Sequence, residues 1–204
     1  DQIHPNMDGH RRIARHLARS ITGRAVDLAD VHPIQPGIPR TLSLLKAGQP
    51  IRVLAMPPYD VSIVGVLQKL QPGARVKVTR WPIQGQSLKA IERDASKRVR
   101  PMKPDLVLVA VPRSAVAKSD EEFISSYSWL MNYSLSYSHQ QWDCVVIHPS
   151  VSEPDSNDTA RGALVRRLVR AQDLHLVDRP RDSRIPAKQI LEDWFSQQLM
   201  SKSK

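Results

Sequence analysis

Residues 105–111 read DLVLVAV, a near-continuous run of aliphatic residues rich in valine. Such runs are typical of strands in parallel sheets, which are buried on both faces. Four more short runs of β-branched or aliphatic residues occur elsewhere: IRVLAM (51–56), ARVKVT (74–79), CVVIHP (144–149) and LHLVD (174–178). The sequence therefore predicts five strands, several of them fully buried.

Segments with helical spacing separate these runs. They are 62–70, 87–102 with Ser87 as its cap, 121–138, 159–171, and 187–200 after Pro186. Strands that alternate with helices predict a parallel sheet covered on both faces, because each right-handed crossover places its helix on one side. We therefore expect a three-layer α/β/α fold with a five-stranded, flavodoxin-like parallel sheet. Ligands bind at the carboxyl ends of strands in such folds, here in the loops that begin at Met56, Thr79, Val111, His148 and Asp178.

A separate helix and a linker precede this unit. Residues 5–21 form a predicted amphipathic helix, with Ile13, Leu17 and Ile21 on one face. The following DLADVHPIQPGIPR (27–40) contains three prolines and one glycine without sustained periodicity. We therefore predict a detached terminal helix (1–24), a linker (25–50) and an α/β domain (51–200).

Charge is concentrated in one part of the chain, whose formal net charge is +10. Residues 52–103 contain eleven lysines or arginines and three acidic residues. This cluster could attract phosphate backbones, but no aromatic stripe, zinc spacing or helix-turn-helix signature accompanies it. A solvated basic face is the favoured interpretation, and nucleic-acid binding is disfavoured.

Several other classes of protein are also disfavoured. No run of about 18 apolar residues is present, so we expect a soluble chain without a membrane span. Cys144 is the single cysteine, expected to be a buried core residue without a disulfide partner. The sequence shows no glycine-rich phosphate loop, HExxH motif or Cys/His cluster, so neither a cofactor nor a metal is expected. The first residue is Asp1 rather than methionine, so we expect an upstream part, and the compartment is left open.

The most specific string is DQIHPNMDGHRRIARHLARSI (1–21). It resembles the final block of the SGNH/GDSL hydrolases, Asp-x-x-His-Pro-Asn before a closing helix, and the matching residues are Asp1, His4, Pro5, Asn6, Gly9 and His10. A histidine that takes a serine proton needs a carboxylate on its other ring nitrogen to fix its tautomer. The resemblance implies that Asp1 is the orienting acid and His4 the general base. Their serine would lie upstream of Asp1.

The remainder of the chain resembles the same family from its beginning. LLKAGQPIRVLAM (44–56) is similar to the family's lead-in to its first strand, which normally runs into Gly-Asp-Ser. Here the same place reads PPYD (57–60), so Tyr59 occupies the nucleophile position, and a phenol with a pKa near 10 is a poor substitute for an activated serine. Ser62 could replace it only if the loop changed register. A helix cap is the favoured interpretation of Ser62.

The family's oxyanion and base positions are also altered. Gly85 in WPIQGQSL (81–88) matches the family's oxyanion glycine, but a turn with positive φ explains it equally well. After KPDLVLVAV (103–111), Pro112 stands where the family has glycine and Ser114 where it has asparagine. No second Asp-x-x-His-Pro precedes the last helix, and His148 and His175 are expected to be structural.

These residues lead to one functional hypothesis and one alternative. The resemblance implies the C-terminal portion of a serine ester hydrolase of the esterase, lipase or deacetylase class, acting on a carbohydrate or lipid ester. The 51–200 unit would be a degenerate, inactive copy. The alternative is a non-catalytic binding or assembly module, derived from the same fold, that holds a glycan or a protein partner.

Overall fold

The five predicted strands form one parallel sheet in the computed structural model, which describes residues 7–28, 36–136, 141–156, 159–181 and 183–200. The strands are β1 (Ile51–Ala55), β2 (Val76–Arg80), β3 (Leu106–Val109), β4 (Asp143–Ile147) and β5 (His175–Val177). Their order in the sheet is β2-β1-β3-β4-β5, and all four neighbouring pairs are parallel. The predicted flavodoxin-like sheet is therefore confirmed.

Helices cover both faces of this sheet. They are α1 (Met7–Thr22), α2 (Pro39–Lys46), α3 (Tyr59–Leu70), α4 (Leu88–Met102), α5 (Asp120–Ser134), α6 (Ala160–Ala171) and α7 (Ala187–Met200). Right-handed crossovers place α4, α5 and α6 on one face and α3 on the other. The contacts agree, since α5 packs against α4 and α6 while α3 packs against α7. The three-layer prediction is confirmed.

Burial follows the position of each strand in the sheet. Every residue of β3 and β4 is buried, whereas the edge strand β2 has no fully buried residue. Val53 in the middle of β1 lies between Val78 of β2 and Leu106 of β3. Apolar side chains on both faces of the central strands therefore supply most of the core, as the run at 105–111 predicts.

Helix α2 lies inside the stretch that we predicted as a linker. Ile38, Leu42 and Leu45 are all buried, so the helix is part of the core. Its own N-cap residue, Ile38, has no side chain able to cap it. Instead, the Asp143 carboxylate at the start of β4 accepts the N–H groups of Thr41 (2.6 Å) and Arg40 (3.2 Å). A distant carboxylate thus satisfies the free amides of this helix and fixes it to the sheet.

Helix α1 forms as predicted, and its apolar face remains uncovered. Ile13, Leu17 and Ile21 are 49%, 52% and 80% exposed, and α1 contributes no side chain to the described core. An ion pair of 2.7 Å between Arg11 Nη2 and Asp173 Oδ1, just after α6, connects α1 to the α/β unit. No helix in the described part of the chain has both the length and the apolar character needed to cross a bilayer.

The capping role of Asp143 makes a pH-dependent prediction. Burial raises the pKa of Asp143 to about 6, although the hydrogen bonds from Thr41 and Arg40 limit the rise. The folded state then binds more protons than the unfolded state between about pH 4 and pH 6, so the free energy of unfolding falls as pH rises through that range. We expect the difference between wild type and Asp143→Asn to change by about 1–3 kcal/mol there, measured by urea unfolding. A difference that stays constant with pH would contradict this assignment.

Candidate functional site at the carboxyl edge

The loops that follow the carboxyl ends of the five strands form the carboxyl edge of the sheet. Of the residues predicted from the sequence, Ser62, Gly85 and Ser114 lie on or next to this edge. Asp1 and His4 lie outside the described residues, so their roles stay predictions. Among the described residues, no three His, Cys, Asp or Glu side chains converge as metal ligands would.

Tyr59, at the family's nucleophile position, is a core residue. It is the first residue of α3, directly after the cis Pro57–Pro58 peptide, and is only 2% exposed. Burial raises the pKa of Tyr59 to about 12, although the nearby Ser152 hydroxyl and Arg179 guanidinium partly oppose the rise. Its hydroxyl makes no well-formed hydrogen bond with the described residues. At neutral pH this phenol is therefore protonated and shielded from substrate.

Ser62 does not cap α3, so that interpretation was wrong. The helix begins at Tyr59 and its N-cap position is Pro58, which places Ser62 one turn inside the helix. No hydrogen bond connects the Ser62 side chain with a histidine or carboxylate of the described chain. Among the described residues, Ser62 therefore has no hydrogen-bonded base that would activate it.

Gly85 and Ser114 lie in turns on the same edge. Gly85 has φ +70°, a conformation that favours glycine, which supports its interpretation as a turn residue. Gly85 is exposed, and its N–H donates to no described residue. That N–H is therefore available to an oxyanion, and its use as an oxyanion donor stays a prediction. Ser114 is exposed in the turn closed by the Ala115 N–H and the Pro112 carbonyl (3.0 Å). No hydrogen bond joins Ser114 to Gly85.

The sequence analysis missed a serine, a histidine and an aspartate that meet after β4 and β5. His148 is fully buried, with Nδ1 2.7 Å from Ser150 Oγ and 3.4 Å from Asp178 Oδ1. The Ser150 hydroxyl also lies 3.3 Å from Asp178 Oδ1. The His-Pro-Ser order carries no known catalytic spacing, and Asp178 is 28 residues away from Ser150, so only the fold brings them together.

This cluster lacks the geometry of a catalytic triad. His148 Nε2 lies 3.0 Å from the Gly162 carbonyl, which only accepts, so Nε2 carries the proton. Nδ1 then accepts the Ser150 N–H at 3.1 Å. A triad histidine holds serine and carboxylate on different ring nitrogens, whereas here both approach Nδ1. Burial lowers the pKa of His148, so the neutral ring acts as a cap for the short 3-10 turn at Pro149–Val151.

Asp178 and Arg179 hold the same edge in place. Asp178 receives two hydrogen bonds from Arg166, at 2.6 and 3.0 Å. Burial alone would raise the pKa of Asp178, but the Arg166 hydrogen bonds and charge outweigh it, so the pKa is lowered. Arg179 is buried and donates to four backbone carbonyls, those of Ser150, Val151, Ser183 and Ile185. The hydrogen bonds of Arg179 thus go to loop backbone, whereas Asp178 is held mainly by the Arg166 side chain.

A small cavity lies between α5 and α6 on this edge, which we call the α5–α6 cavity. Its volume is about 30 Å³. The lining residues are Val111, Pro112, Arg113, Ala115, Phe123, Tyr127, Pro149, Thr159, Arg161, Gly162 and Val165. The cavity is therefore mainly apolar, with two arginines.

Cys144 and His175 have structural surroundings. Cys144 is buried on β4, and burial raises its pKa to about 12, so the prediction of an inert core cysteine is confirmed. The ring of His175 packs edge-to-face with Trp194 at 6.3 Å between centroids. It also fills the space where a side chain at residue 37 would lie, since a Cβ on Gly37 would come within 2.6 Å of the ring.

The basic cluster at 52–103 is partly neutralised. At least five of its side chains form ion pairs, namely Arg52–Asp105, Lys69–Glu192, Arg80–Asp60, Lys89–Glu92 and Arg98–Asp94. Paired cations attract a polyanion less strongly than free ones. These pairs favour the interpretation of the cluster as a solvated face.

Comparisons with known proteins show similarity in fold. No protein-family model and no curated protein matches the sequence. The structure is similar to a two-domain esterase active on acetylated mannans, co-crystallised with mannopentaose, with a TM-score of 0.60 and 15% identity over 83% of this chain and 54% of that chain. An acetyl xylan esterase is less similar, with a TM-score of 0.48 and 13% identity over 76% of this chain and 86% of that chain. An alcohol dehydrogenase from the archaeon Thermococcus sibiricus has a TM-score of 0.41 and 15% identity over 84% of this chain and 90% of that chain.

The first of these similarities confirms an esterase-like α/β/α fold. This chain spans about half the length of the two-domain esterase that it matches. At 15% identity, membership of the SGNH/GDSL family stays a prediction.

The role of Arg179 is directly testable. Arg179→Met keeps an apolar stem of similar shape but leaves four carbonyl acceptors at the carboxyl edge without their donor. We expect the free energy of unfolding to fall by about 2–5 kcal/mol in a urea titration. The exposed Arg184, in the same segment, is the matched control, and Arg184→Met should change stability by less than about 0.5 kcal/mol. Equal effects of the two substitutions would contradict the anchoring role.

Proposed function

We propose that this chain is part of a serine ester hydrolase, in which Asp1 and His4 complete the catalytic site of an upstream α/β unit. The 51–200 unit is then a second, non-catalytic copy of the same fold. The observation that carries this proposal is the carboxyl edge itself, where the nucleophile position holds the buried Tyr59.

The two described histidines of the 51–200 unit, His148 and His175, support a non-catalytic role for that unit. His148 has both ring nitrogens engaged and is fully buried. His175 packs against Trp194 and Gly37. A serine hydrolase needs an accessible imidazole that accepts the serine proton through one nitrogen and is oriented through the other. Neither histidine offers that arrangement.

The uncovered face of α1 supports an upstream partner unit. Ile13, Leu17 and Ile21 lie in one row and each is about half exposed or more. A helix with such a row normally buries it against a core. The row follows directly after the Asp1 and His4 motif, so the surface that covers it is well placed to supply the serine. An α/β unit whose closing helix is α1 meets both requirements.

Acetylated carbohydrates are the proposed substrate class. The similar two-domain esterase acts on acetylated mannans, which is a property of that protein. Shared fold makes this class the first to test for the present protein, ahead of lipid esters. The serine attacks the acetyl ester and releases the free sugar hydroxyl, which leaves an acyl-enzyme, and water then attacks the acyl-enzyme to release acetate and regenerate the serine.

A binding role is the second candidate for the 51–200 unit. The observation that favours it is the α5–α6 cavity. This cavity lies next to the carboxyl edge, whose polar groups already form hydrogen bonds within the protein. A unit that holds a ligand without transforming it needs neither nucleophile nor base. The two roles are compatible within one protein.

The catalytic proposal predicts where a fluorophosphonate probe reacts. The full protein, with its upstream part, should be labelled on an upstream serine, and His4→Ala should abolish labelling and lower kcat/KM for p-nitrophenyl acetate by about 10⁴-fold or more. The residues 1–204 alone should not be labelled, because they lack a paired serine. Peptide mapping by mass spectrometry identifies the labelled residue.

Matched variants make this test specific. His16 is exposed on α1, so His16→Ala should leave labelling and activity unchanged. Labelling of the 204-residue chain at Ser62 or Ser114, removed by Ser62→Ala or Ser114→Ala, would show that the 51–200 unit is itself a hydrolase. Full activity of the His4→Ala protein would refute the role of His4.

The apolar row on α1 gives a separate stability prediction. Leu17→Asp should leave the Tm of the 204-residue chain nearly unchanged, because Leu17 is 52% exposed there. In the protein with its upstream part the same change should lower stability by about 2–4 kcal/mol, since it buries a charge. Arg12→Asp, at an exposed position on the opposite side of α1, is the control. Equal, small effects of Leu17→Asp in both proteins would show that the row stays uncovered.

A further inference from the structure

The α5–α6 cavity combines an apolar wall with a positively charged mouth. Phe123 and Tyr127 of α5, stacked at 5.5 Å between centroids, and Val165 of α6 form much of the wall. Arg113 and Arg161 are the charged residues of the lining, which contains no aspartate or glutamate. This composition suits a ligand with an apolar body and one negative charge.

Most N–H donors of the Arg161 guanidinium form no hydrogen bond with a described residue. Its guanidinium carbon lies 5.3 Å from the Phe123 ring centroid, and its one hydrogen bond to a described residue is the long 3.4 Å contact with the Ala117 carbonyl. A guanidinium has five N–H donors in a planar fork that matches a carboxylate. The side chain is therefore held over the cavity by the ring while most of its donors remain available.

The start of α6 adds to the positive potential at the mouth. Thr159 and Gly162 line the cavity and belong to the first turn, which contains no acidic residue. The Thr159 hydroxyl already accepts the Gly162 N–H at 3.0 Å. The partial positive charge of the helix N-terminus thus reinforces Arg161 rather than acting alone.

Acidic residues outside the lining are partly engaged by backbone groups. Glu122 accepts the Lys118 N–H at 2.6 Å, and Glu153 accepts the Arg113 N–H at 3.2 Å. Asp120 and Glu121 are exposed at the start of α5. Inside the wall, the fully buried Tyr127 hydroxyl has no hydrogen bond to a described residue. Cys144 of β4, which does not line the cavity, is the electrostatic neighbour of this hydroxyl, so the Tyr127 ring rather than its hydroxyl forms part of the wall.

We propose that the α5–α6 cavity binds a short-chain aliphatic carboxylate. The carboxylate lies toward Arg161 and the start of α6, and the alkyl part contacts Phe123 and Val165. A volume of about 30 Å³ holds two or three water-sized probes, so it accommodates roughly the one to three alkyl carbons of acetate to butyrate, with the carboxylate at the mouth. This gives the binding role of the 51–200 unit a ligand class, and to that extent it rests on the proposed function.

The ligand class is the acid product of the proposed reaction. Hydrolysis of an acyl ester consumes water and yields the carboxylate, the alcohol and a proton, so the acid is formed wherever the upstream unit works. Binding at the cavity itself makes and breaks no covalent bond. The site would therefore respond to product concentration without taking part in catalysis.

The test is a titration of the 204-residue chain with sodium butyrate, followed by protein-observed NMR at constant ionic strength. We expect saturable shifts around α5 and α6 with a Kd on the order of 1 mM, as is usual for so small a ligand. Arg161→Gln should weaken binding about tenfold or more, and Arg161→Lys less. Arg167→Gln, an exposed position on the same helix, should leave the Kd unchanged. Thermal unfolding of each variant confirms that it is folded.

Neutral and inorganic probes decide what the cavity recognises. Butanol should bind at least tenfold more weakly than butyrate, and inorganic phosphate should not produce the same shifts. The proposal is overturned if butyrate fails to bind at 50 times the expected Kd, if butanol binds equally well, or if phosphate gives the same saturable shifts as butyrate. Because no ester is used, these outcomes are independent of whether the protein is a hydrolase.

Discussion

Strand β3 has buried aliphatic side chains on both of its faces, from Leu106, Val107, Leu108 and Val109. The neighbouring strand β4 is equally buried. A strand of this kind is stable only where both faces of the sheet are covered, because neither face tolerates water. That requirement, together with the right-handed crossovers, places α4, α5 and α6 on one side and α3 and α7 on the other. The positions of all the loops at the carboxyl edge, and hence of every candidate site residue, follow from it.

The polar and aromatic residues at the carboxyl edge stabilise the loops and the core. Arg179 binds four carbonyls, His148 caps a 3-10 turn, and Tyr59 completes the core under β1. Each of these groups is of a type that catalysis also uses, but each has its hydrogen-bonding capacity or its exposure removed by the fold. The presence of histidine, arginine or tyrosine at this edge is therefore weak evidence for catalysis, because their hydrogen-bond partners are backbone groups or their side chains are buried. The space left for a ligand lies to one side, between α5 and α6.

The sequence was informative wherever the signal was local. Runs of β-branched and aliphatic residues located all five strands. Ser87 was correctly identified as the cap of α4, where its side chain accepts the Ala90 N–H. Gly85 has the positive φ that its turn suggested.

The failures concern contacts between distant residues. Helix α2 was missed because its cap, Asp143, is about a hundred residues away, and prolines around it resemble a linker. The start of α3 was misplaced because Pro58 serves as N-cap without a capping side chain. The cluster of His148, Ser150 and Asp178 depends on two strands that only the fold makes neighbours.

Helix α6 connects two features that are far apart in the sequence. Its first turn borders the α5–α6 cavity, and just after its last turn Asp173 holds Arg11 of α1, seven residues beyond His4. Twelve helical residues form a rod about 18 Å long that is stiff along its axis. An axial shift of that rod on filling the cavity would carry Asp173, Arg11 and the start of α1 with it. The cavity and the Arg11–Asp173 ion pair thus lie at opposite ends of one stiff helix, which gives a bound ligand and the start of α1 a direct mechanical connection.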